Sequence, residues 1–502
     1  MFKNLNISNF LEYLLIVFFS FFVNYYYSSL GVLAQDTFAY YDTAFRILNG
    51  SVPFKDYWTV SGPFIDYLQA IFFYFFDVSW KSYIISGSII NASITSLFFY
   101  ILKNFELEKV YCIFYALCFS ILANPSMGVP FPDHYSTFFS LAGIFFFLIA
   151  IKKENKKIWF CIPIFLFIGF LSKQSPSSYI LLVLLFSITI YIYLSKNFLF
   201  IKHLIISSLF CFLSLFLFFY LNKIDLNQFL YQYFLFPKTI ALERMQDYEI
   251  TFNGIFLQFK FIYLFLLPLI IVTFKLINKK LENKYDNFLY CLILILISFV
   301  LIFHQIITKN FIFIFFLIPM LASLLQISLI ESTKYKKAII IFLISSTFLL
   351  TLKYHVRFNE NRKMLNLENI NLKNTVSAGL IHPSLKGLKW ITYEYEKDPL
   401  EEILLIKENL KIVKRDKTKK MLISRYLFMS SITGENLNNP SRWPSIQDAS
   451  NPNKNNQYHE TYKNFILNLI SLKKIQTLYT SESPQNDIFL NLFDNNCRKT
   501  KV

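Results

Sequence analysis

From Phe10 to about Leu352 the chain is a succession of apolar runs separated by polar breaks, each run close to the roughly 20 residues a helix needs to cross about 30 Å of hydrocarbon. Hydrophobic residues make up 55% of the 502-residue sequence, with 60 Phe and 32 Tyr against 16% charged residues. That is more apolar surface than a water-soluble enzyme could bury, so lipid must serve as part of the solvent. The pattern predicts an α-helical polytopic membrane protein with about 11 spans. After the first span they are expected over residues 82–102, 110–122, 134–150, 158–171, 179–194, 199–221, 255–274, 288–303, 311–330 and 338–352.

Lysines cluster in alternate breaks. One set holds Lys3; Lys103 and Lys109; Lys152, Lys153, Lys156 and Lys157; Lys196; Lys275, Lys279, Lys280 and Lys284; and Lys334, Lys336 and Lys337. The positive-inside rule assigns these breaks and the N-terminus to the cytoplasm, and an odd number of spans then puts everything after about Lys353 outside. The net charge of +17 is thereby mostly a matter of topology. Nucleic-acid binding is disfavoured, because these lysines form no basic-aromatic face. Five cysteines, Cys112, Cys118, Cys161, Cys211 and Cys291, lie in apolar runs and Cys497 lies outside them. No CxxC spacing occurs, so neither a disulfide framework nor a zinc site is indicated. Val32-Leu33-Ala34 resembles a signal-peptidase site, but the long aromatic run before it reads as an uncleaved span.

Two segments depart from the alternation of span and short break. Residues 31–80 form a first external loop in which Ala39, Tyr40, Ala44, Ile47 and Leu48 recur at helical spacing before Asn49-Gly50 and Pro53. Phe64 to Phe76 repeats the pattern but is too short and too acidic to span, so two interfacial helices are expected here. Residues 1–353 are read as the transmembrane domain and residues 354–502 as a small extracytoplasmic α/β domain. In the latter, the amphipathic stretch Pro399 to Ile412 and short apolar stretches at Met421–Ile423 and Ile475–Tyr479 give a helix-then-strand order. Asn222 to Gly254 is expected to be an external loop, and Asn438 to Tyr458 a loop too polar to pack.

A carboxylate at the end of a membrane span is costly unless it faces water or has a task, which singles out Asp36 after the first span and Asp133 before the fourth. In this topology both are external and free to converge on one cavity. One carboxylate could take the proton from an acceptor hydroxyl as it attacks an anomeric carbon, with a cation meeting the departing phosphate.

The stretch Asp36-Thr37-Phe38-Ala39-Tyr40, with Ala44, Ile47-Leu48-Asn49-Gly50, Pro53-Phe54-Lys55-Asp56-Tyr57-Trp58 and Ser61-Gly62-Pro63, resembles the first external loop of GT-C membrane glycosyltransferases. It is most similar to bacterial members related to protein O-mannosyltransferases and to the aminoarabinose and galacturonic acid transferases of lipid A and its core. Pro132-Asp133-His134 is similar to the second acidic site of that superfamily. The resemblance covers residues 1–180 well and the rest as architecture.

It implies a GT-C-like fold in a bacterial inner membrane and transfer of a sugar from a polyprenyl-phosphate donor to a hydroxyl of a glycan, lipid or protein acceptor. No cofactor is implied. Relatives often have Asp-Glu where this chain has Asp36-Thr37, and many have Lys-Pro-Pro near Gly62-Pro63, so Lys55, Lys173 or Arg244 would have to meet the phosphate. Asp36 is the implied base, with Asp133 and His134 positioning the acceptor.

Each of these residues has a plainer reading. Asp36 could cap the helix that follows it. His134 could be structural, and Lys173, beside Gln174, could snorkel to water. Arg244 and His304 could be solvated or in exposed ion pairs, and Lys55 could pair with Asp56. A transporter or flippase of lipid-linked glycans is the rival reading; it usually shows repeats and broken midplane helices, and the sequence has neither.

Overall fold

The computed structural model describes residues 7–123, 128–246, 251–278, 285–308, 314–329, 335–445 and 449–480. Lys3, Lys279, Lys280, Lys284, Lys334 and Cys497 lie outside the described residues. The first helices are α1 (Ile7–Ser28), α2 (Ala34–Leu48), α3 (Phe64–Phe76), α4 (Trp80–Asn104), α5 (Lys109–Ala123), α6 (Pro132–Lys153), α7 (Lys156–Trp159), α8 (Cys161–Ser172), α9 (Gln174–Ser195) and α10 (Ile201–Asn222). They are followed by α11 (Leu226–Leu230), α12 (Phe236–Gln246), α13 (Gln258–Asn278), α14 (Tyr285–Thr308), α15 (Leu317–Leu329) and α16 (Lys336–His355). Beyond these come β1 (Val376–Ser377), β2 (Lys389–Trp390), α17 (Pro399–Arg415), β3 (Lys420–Ile423), α18 (Met429–Thr433), α19 (His459–Lys473) and β4 (Thr477–Thr480).

The chain divides into two compact units, one of Met1–Leu30, Ile84–Phe216 and Tyr248–Ile370, the other of Gly31–Tyr83, Leu217–Asp247 and Asn371–Val502. The first is wholly helical among its described residues, the arrangement that pairs every backbone N–H and C=O within its own segment where no water is present. Eight helices among the described residues are long and apolar enough to cross a membrane. Within the first unit α6 is buried along most of its length, whereas the apolar side chains of α10 are largely exposed. A helix apolar on every side and exposed on most of them suits lipid rather than water.

Three expected spans are shorter: α5 has 15 residues, α8 has 12 and α15 has 13. At about 1.5 Å per residue these reach only about 18–23 Å. The helical run expected over residues 158–171 is interrupted at Phe160, between α7 and α8.

The second unit gathers residues 31–83 and 217–247 with the chain after residue 370. Helix α2 ends at Asn49, and Gly50 turns the chain at a φ of +82°, a left-handed conformation that a residue with a Cβ rarely adopts. Its residues Thr37 to Arg46 are buried throughout, so α2 is a core helix of this unit. Helix α3 is inside-out: Asp66 and Gln69 are buried, while Ile71, Tyr74, Phe75 and Phe76 are exposed. Residues expected to form a loop over 222–254 contain α11 and α12 in their described part, and Gln232 between them accepts from Thr59 N (3.0 Å) and donates to Phe54 O (3.0 Å). Farther on, α17 leads into β3 and α19 into β4, and these two strands pair in parallel.

Candidate functional site

In the first unit three of the residues marked in the sequence meet. Pro132 occupies the first turn of α6, where its fixed φ suits a helix start and its missing N–H costs nothing. Asp133 follows it, favoured there by the helix dipole. Lys173 sits in extended conformation at the junction of α8 and α9. Its Nζ donates to both carboxylate oxygens of Asp133, at 2.9 and 2.8 Å. His304, near the C-terminal end of α14, places Nε2 3.5 Å from Asp133 Oδ1. The Asp133 side chain is 4% exposed and that of Lys173 is 23% exposed.

The junction carrying Lys173 is fixed from beneath. Ser136 Oγ donates to Lys173 O (3.0 Å), and Ser177 Oγ lies 2.8 Å from Ser136 Oγ and 2.7 Å from Ser140 Oγ, joining α6 to the start of α9. Gly169 permits this approach: a Cβ there would stand 2.5 Å from Ser140 Oγ, 2.9 Å from Ser177 Oγ and 3.0 Å from Ser136 O. His134 is buried beside the rings of Phe131 and Phe138, so the ring packs as well as following Asp133 in sequence. Gln174 opens α9 next to Lys173.

The other marked residues belong to the second unit and are described there. Asp36 lies in the first turn of α2 and is half-buried. The N-cap of that helix is Leu33, so Asp36 is not its cap, although its charge suits the N-terminal dipole. Lys55 and Asp56 do not pair with each other: Lys55 Nζ donates to Asn222 O (3.1 Å), while Asp56 takes Val52 N (2.8 Å) and Lys473 Nζ (2.7 Å). Arg244 is half-buried in the last turn of α12.

A second charged cluster in this unit went unmarked. Asp66, fully buried, accepts from Thr43 Oγ1 and from Arg442 Nη2, and Arg442 also donates to Ser61 Oγ. The Arg442 guanidinium lies 4.7 Å from the centroid of the Tyr40 ring. Burial pushes the Asp66 carboxyl up from its ordinary range against the pull of Arg442. Nearby, Asp42 accepts from Asn439 Nδ2 (2.9 Å) and stands 3.7 Å from Arg46 Nη1, and burial raises its carboxyl too. The segment expected to be too polar to pack is thus buried from Asn439 to Trp443. Its polar groups find fixed charges and backbone partners, including Trp58 N to Pro440 O (2.9 Å) and Arg442 N to Trp58 O (3.0 Å). The sequence signals were the Asp42–Arg46 spacing of four and the acid in the first turn of α3; nothing local marks Arg442.

Among the described residues no group of three or more His, Cys, Asp or Glu side chains could hold a metal ion. Eight helices of span length among the described residues are compatible with a multi-pass membrane protein, and the Asp133–Lys173 pair lies at the start of one of them. No family model matches the chain, and no curated protein matches it.

Proposed function

We propose that the protein is a GT-C-like glycosyltransferase that moves a sugar from a polyprenyl-phosphate donor to a hydroxyl of a glycan, lipid or protein acceptor. The observation that carries this reading is the Asp133–Lys173–His304 cluster, a carboxylate held by a lysine with a histidine beside it at the end of a membrane-length helix. Such groups are expensive beside lipid and are kept for substrates, protons or ions. In this reaction the acceptor oxygen bonds to the anomeric carbon, the bond from that carbon to the phosphate oxygen breaks, and polyprenyl phosphate leaves. Within the first unit Asp133 and His134 orient the acceptor and Lys173 meets the phosphate; in the second unit Asp36 is the base that the resemblance implies.

The short helices α5, α8 and α15 are read as crossings that complete eleven, with the N-terminus cytoplasmic and the chemistry on the outer side of a bacterial inner membrane. The inside-out polarity of α3 supports its placement at the membrane surface, with aromatic side chains toward lipid.

The test is sugar transfer from a panel of polyprenyl-phosphate sugars in proteoliposomes, with matched amounts of wild type, Asp36→Asn and Asp133→Asn. The expected result is transfer only with donor in the extracytoplasmic leaflet, reduced at least about a hundredfold by Asp36→Asn, the scale of general-base catalysis. If no donor is consumed and lipid-linked glycan changes leaflet instead, the protein is a transporter and the assignment of Asp36 fails.

A further inference from the structure

Within the first unit, α13 and α16 carry basic residues at both ends. Lys275 on α13, and Lys336 and Lys337 on α16, belong to the ends assigned to the cytoplasm, whereas Lys260 in the first turn of α13 and Lys353 in the last turn of α16 stand at the opposite end. The positive-inside bias disfavours lysine there, so cations kept at that end call for a physical reason. The two ends meet. The rings of Phe261 and Tyr354 lie 6.4 Å apart, and the centroid of the Phe261 ring is 4.4 Å from Lys353 Nζ and 5.3 Å from Lys260 Nζ. A third cation, Arg357, lies in the helical turn that continues α16, and both it and Lys260 act electrostatically on Lys353.

Among the described residues, which break off after Gln246 and resume at Thr251, none of these three cations forms an ion pair, and Nε of Arg357 is buried without an acceptor. Glu360, the nearest acid in sequence to Arg357, is taken by the Tyr27 hydroxyl (2.6 Å) and stands 3.4 Å from His355 Nε2. Gathered like charges repel one another unless an anion joins them. The face of Phe261 offsets part of that cost by cation–π attraction, but a ring has no net charge with which to cancel three cations.

Apolar side chains continue from the cations toward the middle of both helices. Leu264 and Leu267, four and seven residues after Lys260, and Leu349, four residues before Lys353, are all exposed. At that spacing each shares a helix face with the lysine at its end. Positive charge above an exposed apolar wall complements a lipid whose headgroup is negative. A zwitterionic lipid would bring its own ammonium against the lysines.

We propose that the meeting ends of α13 and α16 bind one anionic phospholipid, its phosphodiester among Lys260, Lys353 and Arg357 and its acyl chains along Leu264, Leu267 and Leu349. The site rests on the multi-pass reading and its orientation and is independent of sugar transfer.

The experiment is photo-crosslinking in the full-length protein in nonionic detergent, with p-benzoylphenylalanine in place of Leu264 or, as a control on the exposed face of α10, in place of Leu213. The probes are phosphatidylglycerol and phosphatidylcholine with the same radiolabelled acyl chains. Position 264 should take phosphatidylglycerol over phosphatidylcholine by at least about fivefold, the worth of one basic residue at an anionic membrane surface, and position 213 should take both equally. The double variant Lys260→Gln/Lys353→Gln should lose the preference, whereas Lys353→Arg should keep it. Molar salt, which screens the charges without altering the chain, should also remove it, and this arm decides alone if the double variant does not fold. Equal labelling of position 264 by the two lipids, or a preference that survives both the double variant and molar salt, would overturn the proposal. Displacement of phosphatidylglycerol by millimolar inorganic phosphate would overturn it too, by assigning the three cations to a free anion.

Discussion

Replacing Lys173 by Gln removes the ammonium that donates twice to Asp133 and leaves a carboxylate whose side chain is 4% exposed. Stranding one member of a buried ion pair costs about 3–5 kcal/mol. The lower end applies here, because Lys173 itself is 23% exposed and His304 offers a second partner at 3.5 Å. A loss of about 3 kcal/mol is more than a hundredfold in the ratio of folded to unfolded protein. Asp133→Asn made together with Lys173→Gln removes the stranded charge and should restore most of the loss, leaving about 1 kcal/mol for the hydrogen bonds of a neutral pair. Reversible denaturation of the wild type, both single variants and the double variant in mixed micelles gives the coupling directly, with at least about 2 kcal/mol expected. A coupling below about 0.5 kcal/mol would show that solvent already screens the pair, and the electrostatic account of the site would fail.

Gly169→Ala should destabilise the protein by about 1–3 kcal/mol, because the new methyl meets the fixed carbonyl oxygen of Ser136 as well as two serine hydroxyls. It should also lower sugar transfer, since Gly169 O accepts from Lys173 N at 3.1 Å; an unchanged Tm and unchanged turnover would refute the tight approach. For Asp42, a carboxyl raised by burial means that the native state keeps a proton that the unfolded chain releases just above the ordinary carboxylate range. Stability is then greatest in acid and falls as pH rises toward the folded value, by at most about 1.4 kcal/mol per pH unit for one group. Asp42→Asn should flatten the fall that sets in just above the ordinary carboxylate range, and an undiminished slope in a denaturation series would assign it to other groups.

The helical scaffold was legible because apolar runs of span length have few alternatives, and α2 was legible from helical spacing closed by Asn49-Gly50. Asp133, Lys173 and His304 each stood out as a polar interruption at the end of an apolar run. Their meeting was not readable, because it depends on how α6, α8 and α14 pack, which leaves no local trace in three distant segments. The Asn439–Trp443 stretch failed for a different reason. Polar composition ordinarily signals solvation, but here the solvating groups are Asp42, Asp66 and backbone carbonyls far upstream. Asn24 and Asn91 escaped notice as single amides in apolar runs, since only packing shows that the two residues line one cavity.

The bond between Asp66 and Arg442 joins residues 376 positions apart. At a ribosomal rate of about 5–20 residues per second, Arg442 is added roughly 20–75 s after Asp66. For that interval the early helices carry an acid whose partner has not been synthesised, and it must stay hydrated or protonated. The second unit can therefore close only after translation has passed Arg442, and a nascent chain stalled before that codon should remain open to proteases throughout residues 31–83.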